Sequence, residues 1–248
     1  LSPDESGVAF VHTYEGHDVL AYTRLEGEAW PKLLACGADF YMQPCWSPDG
    51  RELAWVEWDH PNMPWDGSRL VAVEFDPDIE TPVSLWFVDG SAEVATFQPA
   101  FSPDGRYLAY LRNRGEWDEL VVLDLTNGER RELVKDRSML PPAWVQGMRT
   151  IAWSPSSDGL YFLENQQAQT RLNRVELGSG EITALPTEQF THIEQISVSP
   201  EGEVALIAQS PELPAEIWRL KSSALQLVAS NQPNLAGTGW APQPQPVS

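Results

Sequence analysis

The sequence predicts an all-β protein, a β-propeller of about five four-stranded antiparallel blades. Three observations carry that expectation: a turn motif that recurs at near-regular spacing, alternating strands flanking each turn, and no convincing helical periodicity over about ten residues. Ser47-Pro48-Asp49-Gly50 recurs unchanged as Ser102-Pro103-Asp104-Gly105. Variant copies stand at Ser2-Pro3-Asp4-Glu5, Ser154-Pro155-Ser156-Ser157-Asp158-Gly159 and Ser199-Pro200-Glu201-Gly202. The period, about 45 to 55 residues, is that of propeller blades rather than of helical solenoids. A β-sandwich would not repeat one turn motif at such spacing.

The turn has a mechanical basis. Pro presets φ at the second position, Asp tolerates the third, and Gly takes the fourth without steric penalty. Ser can accept a local hydrogen bond. An aromatic or branched residue precedes the turn: Trp46, Phe101, Trp153 or Val198. A strand follows it, such as Leu53-Ala54-Trp55-Val56 or Leu108-Ala109-Tyr110-Leu111. A third strand comes next, at Leu70-Val71-Ala72-Val73, Leu120-Val121-Val122-Leu123, Leu172-Asn173-Arg174-Val175 and Ile217-Trp218-Arg219-Leu220. Short fourth strands then appear at Arg131-Glu132-Leu133-Val134 and Ile182-Thr183-Ala184-Leu185. Four antiparallel strands per repeat is the blade pattern.

The repeats divide the chain near 1–35, 36–90, 91–136, 137–187 and 188–230. The first begins where its innermost strand should be ending. Gly239-Trp240-Ala241-Pro242 echoes Cys45-Trp46-Ser47-Pro48, so Trp240 is the candidate to supply that strand. Otherwise the chain is a piece of a larger propeller. Residues 231–248 also read as a Pro-rich linker.

Composition narrows the partners. The net charge of −20 over 248 residues repels phosphates, which argues against nucleic acid and anionic membranes. No run approaches the roughly 18 apolar residues of a membrane-spanning helix. Cys36 and Cys45 are the only cysteines, too few for a disulfide framework and without zinc spacing. They fit a reducing compartment, the cytoplasm. No cofactor motif and no metal site are expected. Asp49 and Asp104 have a sufficient reason as turn formers, and His12, His17 and His192 lack a catalytic setting. Gly178-Ser179-Gly180 is a turn, not a nucleophile elbow, so no residue is expected to be catalytic.

Trp58-Asp59-His60-Pro61-Asn62-Met63-Pro64-Trp65-Asp66-Gly67 is the most distinctive stretch. It is longer and more aromatic than a connection between second and third strands requires. Such a loop either folds down on its own blade or contacts another domain or a ligand. Strand alternation places it on the same side as Arg112-Asn113-Arg114-Gly115-Glu116-Trp117 and the long connection 136–149. His60, Asn62, Met63, Trp65, Asp66, Arg112, Arg114, Trp117, Arg137, Trp144 and Arg149 are therefore candidates for an interdomain or substrate-contact face. The arginines could instead be salt-bridged to nearby acids.

Residues 46–76, WSPDGRELAWVEWDHPNMPWDGSRLVAVEFD, resemble the propeller of bacterial serine peptidases of the prolyl oligopeptidase family, the dipeptidyl- and acylaminoacyl-peptidase-like members. Gly37-Ala38-Asp39-Phe40-Tyr41, Phe97-Gln98-Pro99 and residues 144–153 fit the same pattern. The turns alone are shared with other propellers, such as the TolB type. The loop around His60 is much more specific. The resemblance implies a propeller capping an α/β-hydrolase domain, whose Ser-Asp-His triad cleaves peptides small enough to enter. This chain departs from that pattern: it holds no hydrolase domain, and upstream blades are expected to be missing. The expectation is a non-catalytic propeller domain that gates peptide substrate and docks on a hydrolase domain of the same polypeptide. A free-standing TolB-like interaction platform is the alternative.

Overall fold

A computed structural model describes residues 1–27, 30–76, 81–139, 143 and 146–230. They form five antiparallel sheets, four of them four-stranded. Sheet 1 is β1 (Gly7–Tyr14), β2 (His17–Arg24) and β3 (Lys32–Ala35). Sheet 2 is β4 (Phe40–Trp46), β5 (Glu52–Trp58), β6 (Arg69–Asp76) and β7 (Thr81–Gly90). Sheet 3 is β8 (Ala95–Phe101), β9 (Tyr107–Asn113), β10 (Asp118–Asp124) and β11 (Arg130–Arg137). Sheet 4 is β12 (Ile151–Trp153), β13 (Gly159–Gln166), β14 (Gln169–Glu176) and β15 (Ile182–Ala184). Sheet 5 is β16 (His192–Val198), β17 (Val204–Ser210), β18 (Leu213–Lys221) and β19 (Ala224–Ala229). In every sheet the hydrogen-bonded order follows chain order, the meander of a propeller blade. Among the described residues β1 is an edge strand, so sheet 1 has three strands rather than four. Residues 231–248, Trp240 among them, lie outside the described residues.

The turn serine does more than its sequence context suggests. Ser47 Oγ donates to Asp49 Oδ1 at 2.7 Å and accepts from Glu52 N at 2.8 Å, while Asp49 Oδ1 also accepts from Arg51 N at 3.1 Å. The same circuit recurs at Ser102, Asp104, Arg106 and Tyr107. Ser2 with Asp4 and Ser154 with Asp158 repeat the serine–carboxylate bond. Gly50 and Gly105 both sit at φ 71°, where an L side chain is strained. The motif therefore closes the β-turn and starts the next strand with one pair of side chains.

The described residues separate into two compact units, the first within 1–135 with 143 and 146–147, the second within 136–139 and 148–230. In the first, the facing surfaces of sheets 1 and 2 bury Leu20, Tyr22, Tyr41, Trp55, Val71 and Val73. In the second, sheets 4 and 5 bury Leu163, Leu172, Phe190, Ile193, Leu206 and Leu220. Each strand contributes alternate residues, as period-two side-chain geometry demands.

Candidate functional site

The loop at residues 59–68 joins β5 to β6 and is tied down along its length. Asp39, just before β4, accepts from His60 N at 2.9 Å and faces His60 Nδ1 at 3.2 Å. The His60 backbone N–H, and then its ring, hold the Asp39 carboxyl below the usual carboxylate range. Asp59 takes Asp39 N at 3.0 Å and Arg69 Nη1 at 2.8 Å. Asn62 Nδ2 donates to Ala92 O at 2.7 Å, reaching the connection that leads to sheet 3. Asp66 closes the loop internally, accepting from Met63 N at 2.9 Å. Gly67 permits this approach: a Cβ there would lie 2.2 Å from Ala92 O. Pro64 is buried, Trp65 is half-buried, and Phe40 stacks on Trp58 with ring centroids 5.1 Å apart. The loop is thus folded onto its own sheet and the following one. His60 and Met63 remain open, with His60 72% exposed at its side chain and Met63 44% exposed overall.

The arginines divide. Arg112, on β9, is buried and binds three carboxylates: Asp89 at 2.8 Å, Glu119 at 2.7 Å and Glu132 at 2.6 Å. Asp89 belongs to sheet 2 and the other two to sheet 3, so this cation links neighbouring sheets. Tyr110 Oη donates to the same Asp89 oxygen at 2.6 Å. Burial works to raise the Asp89 pKa, but Tyr110, the Gly90 N–H and Arg112 outweigh it and the net shift is downward. Burial, with Asp89 adding, pushes the Tyr110 phenol strongly upward. Arg114 shares Glu119 and Glu132, at 2.9 and 2.7 Å. Arg137, in the second unit, pairs with Glu164 at 2.8 Å. Salt bridging, the other expectation from sequence, is therefore what Arg112, Arg114 and Arg137 do. Arg149 is exposed, and its side chain forms no ion pair among the described residues. Trp117 is 48% exposed in the β9–β10 hairpin. Trp144 lies outside the described residues. Of the candidates described in the first unit, His60, Met63, Asp66, Arg114 and Trp117 are exposed, with Arg114 already held by two carboxylates.

A second group of polar residues went unread in the sequence. Each of β4, β8 and β16 carries a bulge with a glutamine at positive φ: Gln43 (54°), Gln98 (51°) and Gln195 (55°). Bulging frees a backbone N–H, and glutamine carbonyls receive two of them. Gln98 N donates to Gln43 Oε1 at 2.7 Å, and Gln43 N to Gln146 Oε1 at 3.1 Å. Gln146 Nε2 in turn donates to Tyr41 O at 3.0 Å. The signal was present in sequence as a glutamine four residues before the turn serine, at Gln43, Gln98 and Gln195. Bulges re-aim side chains and concentrate near functional surfaces. Among the described residues no three His, Cys, Asp or Glu side chains converge as a metal would need.

A family described as the lipoprotein LpqB β-propeller domain matches residues 69–213. Dipeptidyl-peptidase 5 of Porphyromonas gingivalis is 28% identical over 193 residues, which is 75% of this chain and 26% of that protein. A puromycin hydrolase serine-to-alanine mutant complexed with PGG aligns over 99% of this chain and 39% of its own, with TM-score 0.86 and 25% identity. A puromycin-hydrolyzing peptidase of Mycobacterium tuberculosis aligns over the same shares, with TM-score 0.85 and 23% identity. TolB from Acinetobacter baumannii is more distant, with TM-score 0.65 and 14% identity over 92% of this chain and 54% of its own, a likeness of fold alone. The chain spans about a quarter of the curated relative and about two fifths of the puromycin hydrolase and of the puromycin-hydrolyzing peptidase.

Proposed function

We propose, from the premise that this chain belongs to the lipoprotein LpqB β-propeller domain family and is homologous to the propeller domains of serine peptidases, that it gates substrate for a peptidase active site. Its partner is an α/β-hydrolase domain of the same polypeptide, and the substrate of the whole is a peptide. One observation supports this reading: the chain aligns with one part of two larger proteins named as peptidases, over 99% of its length with the puromycin-hydrolyzing peptidase and over 75% with dipeptidyl-peptidase 5. Three of the exposed residues of the first unit, His60, Met63 and Trp117, form the docking face. Exposed Met and aromatic side chains are enriched at interfaces, and a tied-down loop loses little entropy on binding.

The test uses the isolated chain and the parent polypeptide together. A fluorophosphonate probe is expected to leave the chain unlabelled and to label the parent at one serine. In the parent, Met63→Ser with Trp117→Ser is expected to raise cleavage of peptides of about 30 residues relative to dipeptide substrates, since a loosened cap excludes length less well. Labelling of the chain itself, or unchanged size selection, overturns the proposal. A parent that carries no hydrolase domain would point instead to a free-standing interaction platform.

A further inference from the structure

A cleft of about 560 Å³ opens between the turn that precedes β1 and the turn that precedes β5. That volume is in the range of small-ligand sites. Pro3 and Pro48 bring the two turns together, with Pro3 Cδ only 3.6 Å from where a Cβ on Gly50 would be. The apolar wall is Tyr22, Trp46 and Phe75, three rings tilted or edge-on to one another with centroids 4.9 to 6.0 Å apart. Gly7 admits the Tyr22 ring, since a Cβ there would fall 2.2 Å from Tyr22 Oη.

Two features of this wall ask for a ligand. Trp46 Nε1 is buried and has no acceptor among the described residues. An indole N–H is a donor only, and buried donors are normally paired. The second feature is charge. Asp4 and Asp49 both line the cleft, each holding its own turn through Oδ1. The Ser2 hydroxyl, first among its turn's donors, holds the Asp4 carboxyl down at about 2, and the Ser47 hydroxyl lowers Asp49 likewise. Both are anionic at any physiological pH, and a carboxylate has room for further donors. Arg24 is the third charged group at the lining, so the carboxylates prevail by one charge.

The equivalent position between sheets 2 and 3 lacks these features. Strand register matches Tyr22 with Ala72 and Arg24 with Glu74, because Ala9↔Tyr22 and Gly7↔Arg24 correspond to Ala54↔Ala72 and Glu52↔Glu74. Phe101 replaces Trp46 and has no N–H. The cleft is a departure from the repeat, and departures from a repeat need their own cause.

We propose that this cleft binds a peptide segment carrying a lysine or arginine side chain. The cation meets Asp4 and Asp49, its aliphatic stem lies along Trp46 and the two prolines, and the Trp46 ring shifts to offer its Nε1–H, closed to solvent in the free chain, to a peptide carbonyl. An anionic ligand would face two carboxylates, and a purely apolar one would leave the indole N–H unpaired. The net charge of −20 favours encounter with a basic segment. The inference stands on the cleft alone and not on docking to a hydrolase domain.

The probes are blocked tripeptides on the full chain: acetyl-Gly-Lys-Gly-amide, its norleucine and glutamate counterparts, and n-butylammonium, which has the cation without a carbonyl. Calorimetry is read beside the indole N–H resonance of Trp46, assigned by its loss in Trp46→Phe. The lysine peptide is expected to bind at least about tenfold more tightly than the norleucine peptide, as a charge-assisted contact should. It should move the Trp46 resonance, whereas n-butylammonium should not. Asp4→Asn with Asp49→Asn keeps the turn acceptors and is expected to remove that tenfold preference; Arg24→Gln is expected to tighten the lysine peptide. Equal affinity for the lysine and norleucine peptides overturns the proposal, as does an unmoved Trp46 resonance. Should the double variant not fold, loss of the lysine preference in Arg24→Gln would overturn it equally.

Discussion

Sheets 2 and 3 begin from the same instructions and part at one connection. Both open with a bulged inner strand, turn through an identical Ser-Pro-Asp-Gly, and bury both faces of the strand that follows. In sheet 2 the second and third strands are joined by the long loop at 59–68, whose N–H groups donate to the Asp39 and Asp66 carboxylates and the Ala92 carbonyl. In sheet 3 the short hairpin at 114–117 leaves room for a buried arginine with three carboxylates. Repetition supplies the frame, and the individuality sits in the connections. One sheet stabilises its end by local backbone capture, the other by concentrated charge.

That contrast can be broken by substitution. Arg112→Leu strands Asp89, Glu119 and Glu132 around an apolar side chain, and removal of one partner from a buried ion cluster costs about 3–5 kcal/mol. Urea unfolding of the first unit should show that loss; a change under about 1 kcal/mol would mean that solvent already screens the cluster. Gly67→Ala tests the other sheet. Its Cβ would press on the Ala92 carbonyl, a backbone atom that cannot swing aside, so a loss of about 1–3 kcal/mol is expected. Retained stability would show that the loop is looser than its hydrogen bonds imply.

The smallest effect is pH dependence, to which Glu132 of sheet 3 should contribute alongside other depressed carboxylates such as Asp4. Lys135, then Arg112 and Arg114, lower the Glu132 pKa from its ordinary 4.5 to about 2. A carboxyl depressed in the folded state stabilises fully above its unfolded value, and that contribution fades as pH falls from about 4.5 toward 2. The urea midpoint of the native chain should therefore drop across this window. Glu132→Gln should flatten the drop while changing stability at pH 7 by less than about 1 kcal/mol. An unaltered slope in the variant would assign the acid sensitivity to other carboxylates.

Much of this architecture was legible because it rests on local chemistry. Turn residues have fixed backbone preferences, and short apolar runs after each turn read as strands buried on both faces, so the repeat and the strands around Trp55, Tyr110 and Phe162 could be read directly. The candidate face was legible only in part. Trp117 and Met63 are exposed, whereas Arg112 is turned inward because Asp89, twenty-three residues earlier, lies beside it on the neighbouring sheet. No local pattern reports a contact of that kind.

The same division holds for the turn motif itself. By itself the sequence determined that each Ser-Pro-Asp-Gly would close a β-hairpin, since φ preferences and short-range hydrogen bonds act within a few residues. Only the tertiary structure decided which of those turns would border a cleft. That depends on Tyr22 entering where Gly7 leaves space and on Trp46 arriving from the next sheet with its N–H unmet. Local preference operates through bonds and neighbours in the chain; a cleft exists only once separate sheets share a surface.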